Sequence, residues 1–311
     1  MVVGEQHAPR IGGHAAVAGG LAKAGLAYID ERAAGAVQVY VSNPRGWAPS
    51  AGDPASDESF HAGCAERGVV AYVHAPLLVN LGSPTELTVD RSVDTLAHAL
   101  RRAAAIGARG VVFHAGSAVD AGHAEQAMSR VRRALLPLLD MAAAEGLPRL
   151  LVEPSAGGGR SLAARVEDLG PYLEAVDRHP WLGTCFDTCH AWAAGHDLAS
   201  PGGMTATLDA LVGAVGADRL WLVHANDSKD ACGSTRDRHE SVGAGSIGTA
   251  AFAELLAHPA VRGLPVIVET PDADGTGHAA DIARLRALLP SRAEPAVPAA
   301  TAEPALRAAT G

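Results

Sequence analysis

Eight apolar runs of four to six residues alternate along the chain with longer segments of helical pattern, and this alternation leaves few architectures open. The runs lie at 10–14, 37–42, 69–73, 110–113, 149–152, 182–186, 219–223 and 265–268. Helical pattern occupies 15–33, a segment from about 57, and then 90–106, 123–145, 162–176, 205–215, 249–258 and 281–289. Runs this short read as strands of a parallel sheet covered on both faces, and parallel neighbours need the crossover that a helix supplies. Eight such units predict an α/β chain closed as a (β/α)8 TIM barrel. Hydrophobic residues make up 48% of the chain and aromatics only 4%, so the core must be filled with Ala, Val and Leu. One domain at 10–290 fits a chain of 311 residues. Residues 1–9 carry no pattern and predict a flexible N-terminus, while the Ala/Pro-rich 291–311 predicts a disordered tail.

No apolar stretch reaches the roughly 18 residues of a membrane span, and the first ten residues lack the basic and apolar regions of a signal peptide. The expectation is a cytoplasmic protein with no membrane partner. Cys64, Cys185, Cys189 and Cys232 are too few for a disulfide framework in a chain of this length. No second cysteine pair completes a zinc site with Cys185 and Cys189. A formal net charge of −9 argues against a broad electrostatic grip on nucleic acid. It leaves room for a local positive site, because bound metal ions are often the largest charges in a site.

Six of the runs end directly in a metal-capable residue: His74, His114, Glu153, Asp187, His224 and Glu269, at intervals of 40, 39, 34, 37 and 45 residues. Any one of these alone is most simply a solvated loop residue or a satisfied hydrogen-bonding group. Six in register are different. All strands of a barrel point one way, so their C-terminal ends converge on the face where barrel active sites lie. The polar stretch 224–248, HANDSKDACGSTRDRHESVGAGSIG, is too long for a passive connection and places Asp237 and His239 two apart, on one side of an extended segment. His190, three residues after Asp187, brings the set to nine. One tetrahedral zinc takes three or four protein ligands, so nine with one bridging carboxylate suit three ions. Five imidazoles favour Zn2+ over magnesium or calcium, with Mn2+ or Fe2+ admissible at some positions. Three divalent ions bring +6 and the carboxylates of Glu153, Asp187, Asp237 and Glu269 return −4, leaving +2 to attract a phosphodiester.

The stretches VEPSAGGG (152–159), FDTCHAWAAGHDL (186–198) and the 224–248 loop resemble the endonuclease IV family of apurinic/apyrimidinic endonucleases, a likeness that runs from about 11 to 289. The resemblance implies a DNA-repair endonuclease with a trinuclear zinc centre. It would cut duplex DNA at the phosphodiester 5′ of an abasic site, leaving a 3′ hydroxyl and a 5′ deoxyribose phosphate. By matching motif, His74, His114 and Glu153 would hold one zinc, and Glu153 would bridge to a second completed by Asp187, His224 and Glu269. The third would sit on His190, Asp237 and His239. Glu153, as the bridge, and Glu269, orienting the nucleophile, are the implied catalytic residues. Arg45 matches an Arg in the family's lesion-reading loop after the second strand. Leu77 and Leu78 stand where a Tyr-Leu pair is common, so a leucine wedge replaces one stacking ring. Pro154 and Ser155 replace the usual Asn and Thr beside Glu153. The resemblance also favours a monomer. Lys229 and Arg238, which flank the ligands of the long loop, are candidate contacts to DNA phosphates.

Gly243, Gly245 and Gly248 spell G-x-G-x-x-G, but they follow the polar TRDRHES and not a strand, so they read as turn formers near the phosphate path and not as a dinucleotide fingerprint. His14, ending the first run, is a candidate hydrogen-bond partner of the ligands or a plain core histidine. His123 and His196 lie outside the set. A sugar isomerase or epimerase on the same barrel would not need His190, Asp237 and His239 as a third site. A non-catalytic relative would have lost ligands, and none of the nine is missing.

Overall fold

The computed structural model describes residues 9–273 and 275–290. The expected flexible N-terminus and disordered tail therefore fall, but for residue 9, outside the described residues. Strands follow in the order β1 (Arg10–His14), β2 (Ala36–Val39), β3 (Val70–His74), β4 (Gly110–His114), β5 (Arg149–Glu153), β6 (Leu182–Asp187), β7 (Leu220–His224), β8 (Asp227–Ser228), β9 (His239–Glu240) and β10 (Pro265–Val268). The first seven and β10 close a parallel barrel, with β10 between β7 and β1, while β8 and β9 pair antiparallel outside it. The TIM barrel expected from the alternation is the fold observed.

Side-chain period explains the two layers of the core. Val37, Val39, Val73, Val111, Phe113, Leu150, Val152, Phe186, Val223, Val266 and Val268 face outward and are buried under the helices. The alternate positions, Ala36, Val70, Tyr72, Val112, Leu151, Cys185, Leu222 and Ile267, fill the barrel interior as a separate cluster. Continuing that inner face one step up six of the strands reaches His74, His114, Glu153, Asp187, His224 and Glu269. The position below a ligand is thus a buried, mostly aliphatic side chain, with Tyr72 below His74 and Cys185 below Asp187, and the ligands form the next layer. Gly12 lets β1 approach β2, because a Cβ there would sit 1.6 Å from the Ala36 carbonyl oxygen.

The surrounding helices are α1 (Leu26–Arg32), α2 (Pro54–Glu66), α3 (Glu86–Ala105), α4 (Ala124–Ala144), α5 (Leu169–Ala175), α6 (Thr188–Ala193), α7 (Gly203–Val215), α8 (Thr249–Ala257) and α9 (Gly277–Ala287). Three depart from the sequence pattern. The first helical segment begins at Leu21 with a π turn, since Gly20 adopts φ 96° and breaks the run from Ala15. Residues 162–165 are not helical because Leu162 and Ala163 are drawn into bonds with the Gly116 carbonyl and the Ser155 N–H. The short α6 was not expected at all. It starts on the last residue of β6, where the Asp187 carboxylate accepts the His190 N–H at 2.8 Å as an N-cap. Among the described residues no helix is long and apolar enough to cross a membrane.

Candidate metal centre

Glu153, at the end of β5 and fully buried, is the hub of the barrel mouth. One of its oxygens, Oε2, lies 3.4 Å from His74 Nε2 and 3.5 Å from His114 Nε2. The other, Oε1, lies 2.9 Å from His224 Nδ1 and 3.5 Å from His190 Nδ1. His224 Nδ1 is also 3.2 Å from Glu269 Oε2 and 3.9 Å from Asp187 Oδ2. On the outer side Asp237, presented by the long loop, bridges His190 Nε2 at 3.2 Å and His239 Nε2 at 3.0 Å. All nine residues singled out as ligands therefore meet at one end of the barrel. Donor atoms close within 4.8 Å in five sets among the described residues: His74, His114 and Glu153; Glu153, Asp187, His224 and Glu269; Asp187, His190 and His239; and two that include a cysteine, Glu153, Cys185 and His224, and Cys189, Asp237 and His239.

Nine donors packed this way strain toward cations. Glu153 Oε2 is buried with its nearest donors no closer than 3.4 and 3.5 Å and is left without a well-formed hydrogen bond, which is costly unless a cation satisfies it. Burial pushes His114 down to about 4 and raises Asp187. For Glu153, burial is outweighed by His224, His74 and His190, which hold its carboxyl well below the usual range. His224 and His14 do the same for Glu269. Against burial, Asp237, Asp187 and Glu269 lift His239 to about 9. His190 is raised through Asp187 and Asp237, and His224 through the Cys185 sulfur, Glu269 and Glu153. Each carboxylate thus has a cation beside it, and divalent ions would take the place of those protons. This donor set fits metal ions.

Several imidazoles are already aimed. His74 Nδ1 donates to the Ala75 carbonyl at 2.7 Å, His190 Nδ1 to Pro154 at 3.0 Å and His239 Nδ1 to Glu269 at 3.1 Å, which leaves each Nε2 lone pair facing the centre. Asn226 holds Asp187 Oδ2 at 2.6 Å and the Glu269 N–H at 2.7 Å. Pro154, where the family pattern has Asn, contributes only its carbonyl. His14 contacts Glu269 Oε1 at 3.2 Å and so partners a ligand. Sequence reasoning missed Gln38, which is fully buried at the ligand level and bonded to His14, His224 and Glu269. Its signal was an amide inside an otherwise apolar strand. Cys185 and Cys189 lie beside the donors, but burial pushes both thiols up to about 12 and all four cysteines are free.

The rim holds the remaining candidates. The loops after β2 and β3 are joined by a Leu77 N–H to Pro44 carbonyl bond of 2.9 Å, which sets exposed Arg45 beside Leu77 and Leu78, 46% and 37% exposed. A cleft of about 780 Å³ lined by His14, Tyr40, Asn43 and Pro44 opens beside them. Lys229 is exposed, whereas the Arg238 guanidinium is committed to Asp230, donating from Nε at 2.6 Å. The G-x-G-x-x-G glycines wrap a carboxylate of the chain itself. Asp227, fully buried, accepts the N–H groups of Gly243, Gly245, Ile247 and Gly248 at 2.9 to 3.2 Å. That nest is filled from within, so these glycines are the turn formers expected and not a dinucleotide fingerprint. His123 pairs with Asp120, and His196 accepts from the Val166 N–H, both apart from the cluster.

A family model described as a xylose isomerase-like TIM barrel matches residues 26–288. The protein named Probable endonuclease 4 in Streptomyces avermitilis is 55% identical over 278 residues, spanning 89% of this chain and 89% of its own. Its namesake in Streptomyces coelicolor is 55% identical over 89% of this chain and 94% of its own. The crystal structure of endonuclease IV from Thermus thermophilus matches with a TM-score of 0.79 at 36% identity, covering 90% of this chain and 98% of that one. A D-tagatose 3-epimerase-like protein matches at 0.65 with 17% identity, a likeness of fold alone. Identity at this level over most of both chains shows the family, and this chain belongs to the endonuclease IV nucleases.

Proposed function

We propose that the chain is a DNA-repair hydrolase that cuts duplex DNA at the phosphodiester 5′ of an abasic site, leaving a 3′ hydroxyl and a 5′ deoxyribose phosphate, with three Zn2+ in the nine-residue cluster. The observation that carries this reading is the outer set. His190 and His239 converge on Asp237 at 3.2 and 3.0 Å, which a one- or two-metal sugar isomerase on this barrel does not need. In this assignment His74, His114 and Glu153 would hold one ion, Glu153 with Asp187, His224 and Glu269 would hold a second, and His190, Asp237 and His239 would hold the third.

When bound, the ions lower the pKa of water and stabilise the charge that develops on the phosphoryl and leaving oxygens. The chain's own residues set the geometry. Glu269 Oε1 accepts from Gln38 at 2.6 Å and lies against His14, so Oε2 is left facing the cluster, where it orients the nucleophile. Arg45, Leu77 and Leu78 stand together on the rim to enter the duplex at the lesion, and Lys229 contacts backbone phosphate. Arg238, neutralised by Asp230, shapes the loop in place of gripping DNA. The enzyme works as a monomer in the cytoplasm.

The test joins metal analysis of the purified protein to a nicking assay on a duplex with one abasic-site analogue. The expected result is close to three zinc ions per chain and a single nick whose 3′ end a polymerase extends. Manganese or iron in the metal analysis would revise the ion and not the reaction. Fewer than two metals per chain together with no incision would defeat the proposal.

A further inference from the structure

We propose that Gln38 is a positioning residue of the metal centre: its amide commits His224 to bind through Nδ1 and turns Glu269 so that one carboxylate oxygen faces the ions. The inference rests on the metal-dependent reading above and assigns a task to a residue outside the nine.

Gln38 lies on β2, opposite Tyr72 of β3 and in register with His14 of β1, on the inner face one step above Ala36. A fully buried amide must place both its nitrogen and its oxygen. The nitrogen lies 2.6 Å from Glu269 Oε1 and 2.9 Å from His14 Nδ1; the oxygen lies 2.9 Å from His224 Nε2. An ionised carboxylate only accepts, so the NH2 end must face Glu269 and the carbonyl end must face His224. The carbonyl then fixes a proton on His224 Nε2. The lone pair left for an ion is on Nδ1, the nitrogen 2.9 Å from Glu153 Oε1 and 3.2 Å from Glu269 Oε2.

This reverses the arrangement of His74, His190 and His239, whose Nδ1 atoms are held by backbone carbonyls and whose Nε2 atoms face the centre. Backbone partners persist through any substitution. The partner of His224 is a side chain, so the choice of nitrogen is open to mutation here. Gln38 also joins β2 to β7, strands that are not neighbours in the barrel, and so fixes the middle ion's ligands from across the mouth.

The full-length zinc-loaded protein, Gln38→Leu and Gln38→Glu are each titrated with a zinc chelator while zinc per chain is counted, and 15N histidine spectra report the ring protons. Leu keeps most of the volume and loses both bonds. Glu keeps an acceptor for His224 but sets a second carboxylate against Glu269. In Gln38→Leu one ion is expected to leave at a chelator concentration about 10- to 100-fold lower, with the others unchanged. In Gln38→Glu the same ion weakens. The parent shows one ring protonated at Nε2 and metallated at Nδ1, a signature that survives in Gln38→Glu and disappears in Gln38→Leu. Release of every ion at the parent's chelator concentration, equal weakening of all ions, or a parent His224 metallated at Nε2 overturns the inference while leaving the metal reading intact. A parent that holds no zinc overturns the metal reading, and this inference with it.

Discussion

Glu269 is anchored from several sides before any ion is considered. Its N–H bonds to Asn226, its carbonyl accepts from His239 and its Oε1 accepts from Gln38. The free choice left to the side chain is one oxygen, which is why Glu269→Gln is the informative change: it keeps the shape and removes the charge. We expect that variant to fold as the parent does and to nick an abasic duplex at least about 100-fold more slowly, in line with the loss of a positioned base. Near-normal nicking would remove Glu269 from the reaction. His278 shows the opposite use of a buried imidazole. It accepts from the Tyr28 hydroxyl at 2.7 Å and donates to the Thr270 carbonyl at 2.8 Å, both roles of a neutral ring, and burial lowers its pKa below 6.5. The unfolded chain takes up the proton first. The contribution of His278 to stability is therefore whole above about pH 6.5 and declines as pH falls below it. The gap in Tm between the parent and His278→Gln should narrow between roughly pH 7.5 and 5.5; a gap that widens on acidification contradicts the assignment.

At the scale of elements, the strand ends are legible in the sequence and the mouth between them is only partly so. A strand buried on both faces reads as an apolar run, and the run stops where the chain reaches the polar face, so His74 or His224 announces itself by position alone. Gln38 does not, because its run continues through Tyr40 and Val41; only the register with His14 lifts it to the ligand level. The short α6 is hidden for a similar reason, Asp187 serving at once as strand end, helix cap and candidate ligand. The long loop after β7 has an order that its composition conceals. Asp227 gathers four N–H groups between 243 and 248, and a Cβ on Gly245 would meet the Ser228 carbonyl at 2.4 Å, so the turn closes only over this carboxylate. Asp227→Ala strands several buried donors and should cost about 3 kcal/mol, lowering Tm by roughly 6 to 12 °C. Because β8 pairs with β9, and β9 begins at His239, zinc should be lost from the outer site first. An unchanged Tm with full zinc content would show the nest to be incidental. On the rim, the bond between the β2 and β3 loops fixes Leu77 beside Arg45. Leu77→Tyr restores the stacking ring of the family pattern and should tighten binding of an abasic duplex, up to the roughly 1 to 3 kcal/mol of one base stack. Fluorescence anisotropy that finds equal or weaker binding would show that leucine already fills the lesion.

For the whole molecule the central tension is electrostatic: a chain of net charge −9 must approach a polyanion. The three divalent ions of the proposed centre would bring the sum to −9 + 6 = −3 and would place all of that positive charge at one end of the barrel. Removing them would not return the site to bare carboxylates, since neighbouring acids raise the pKa of His190 and His239, and the Cys185 sulfur with Glu269 and Glu153 raises that of His224. Chelation would therefore remove the ions' charge, and any protons that these imidazoles take up in exchange are paired at short range with acids. The barrel has no need of the ions to close. Beneath the ligands the interior is packed with Val70, Tyr72, Val112, Leu151, Leu222 and Ile267, and the outer face is sealed by the helices. Fold and DNA affinity should thus separate. The chelated protein is expected to keep its far-UV circular dichroism and a cooperative melt, while its affinity for an abasic duplex falls by about tenfold or more at fixed ionic strength. Anisotropy titrations with a labelled duplex, with and without chelator and at the same salt concentration, measure this directly. Affinity that survives chelation would mean that the exposed Arg45 and Lys229, and not the metal centre, draw the phosphate backbone to the barrel mouth.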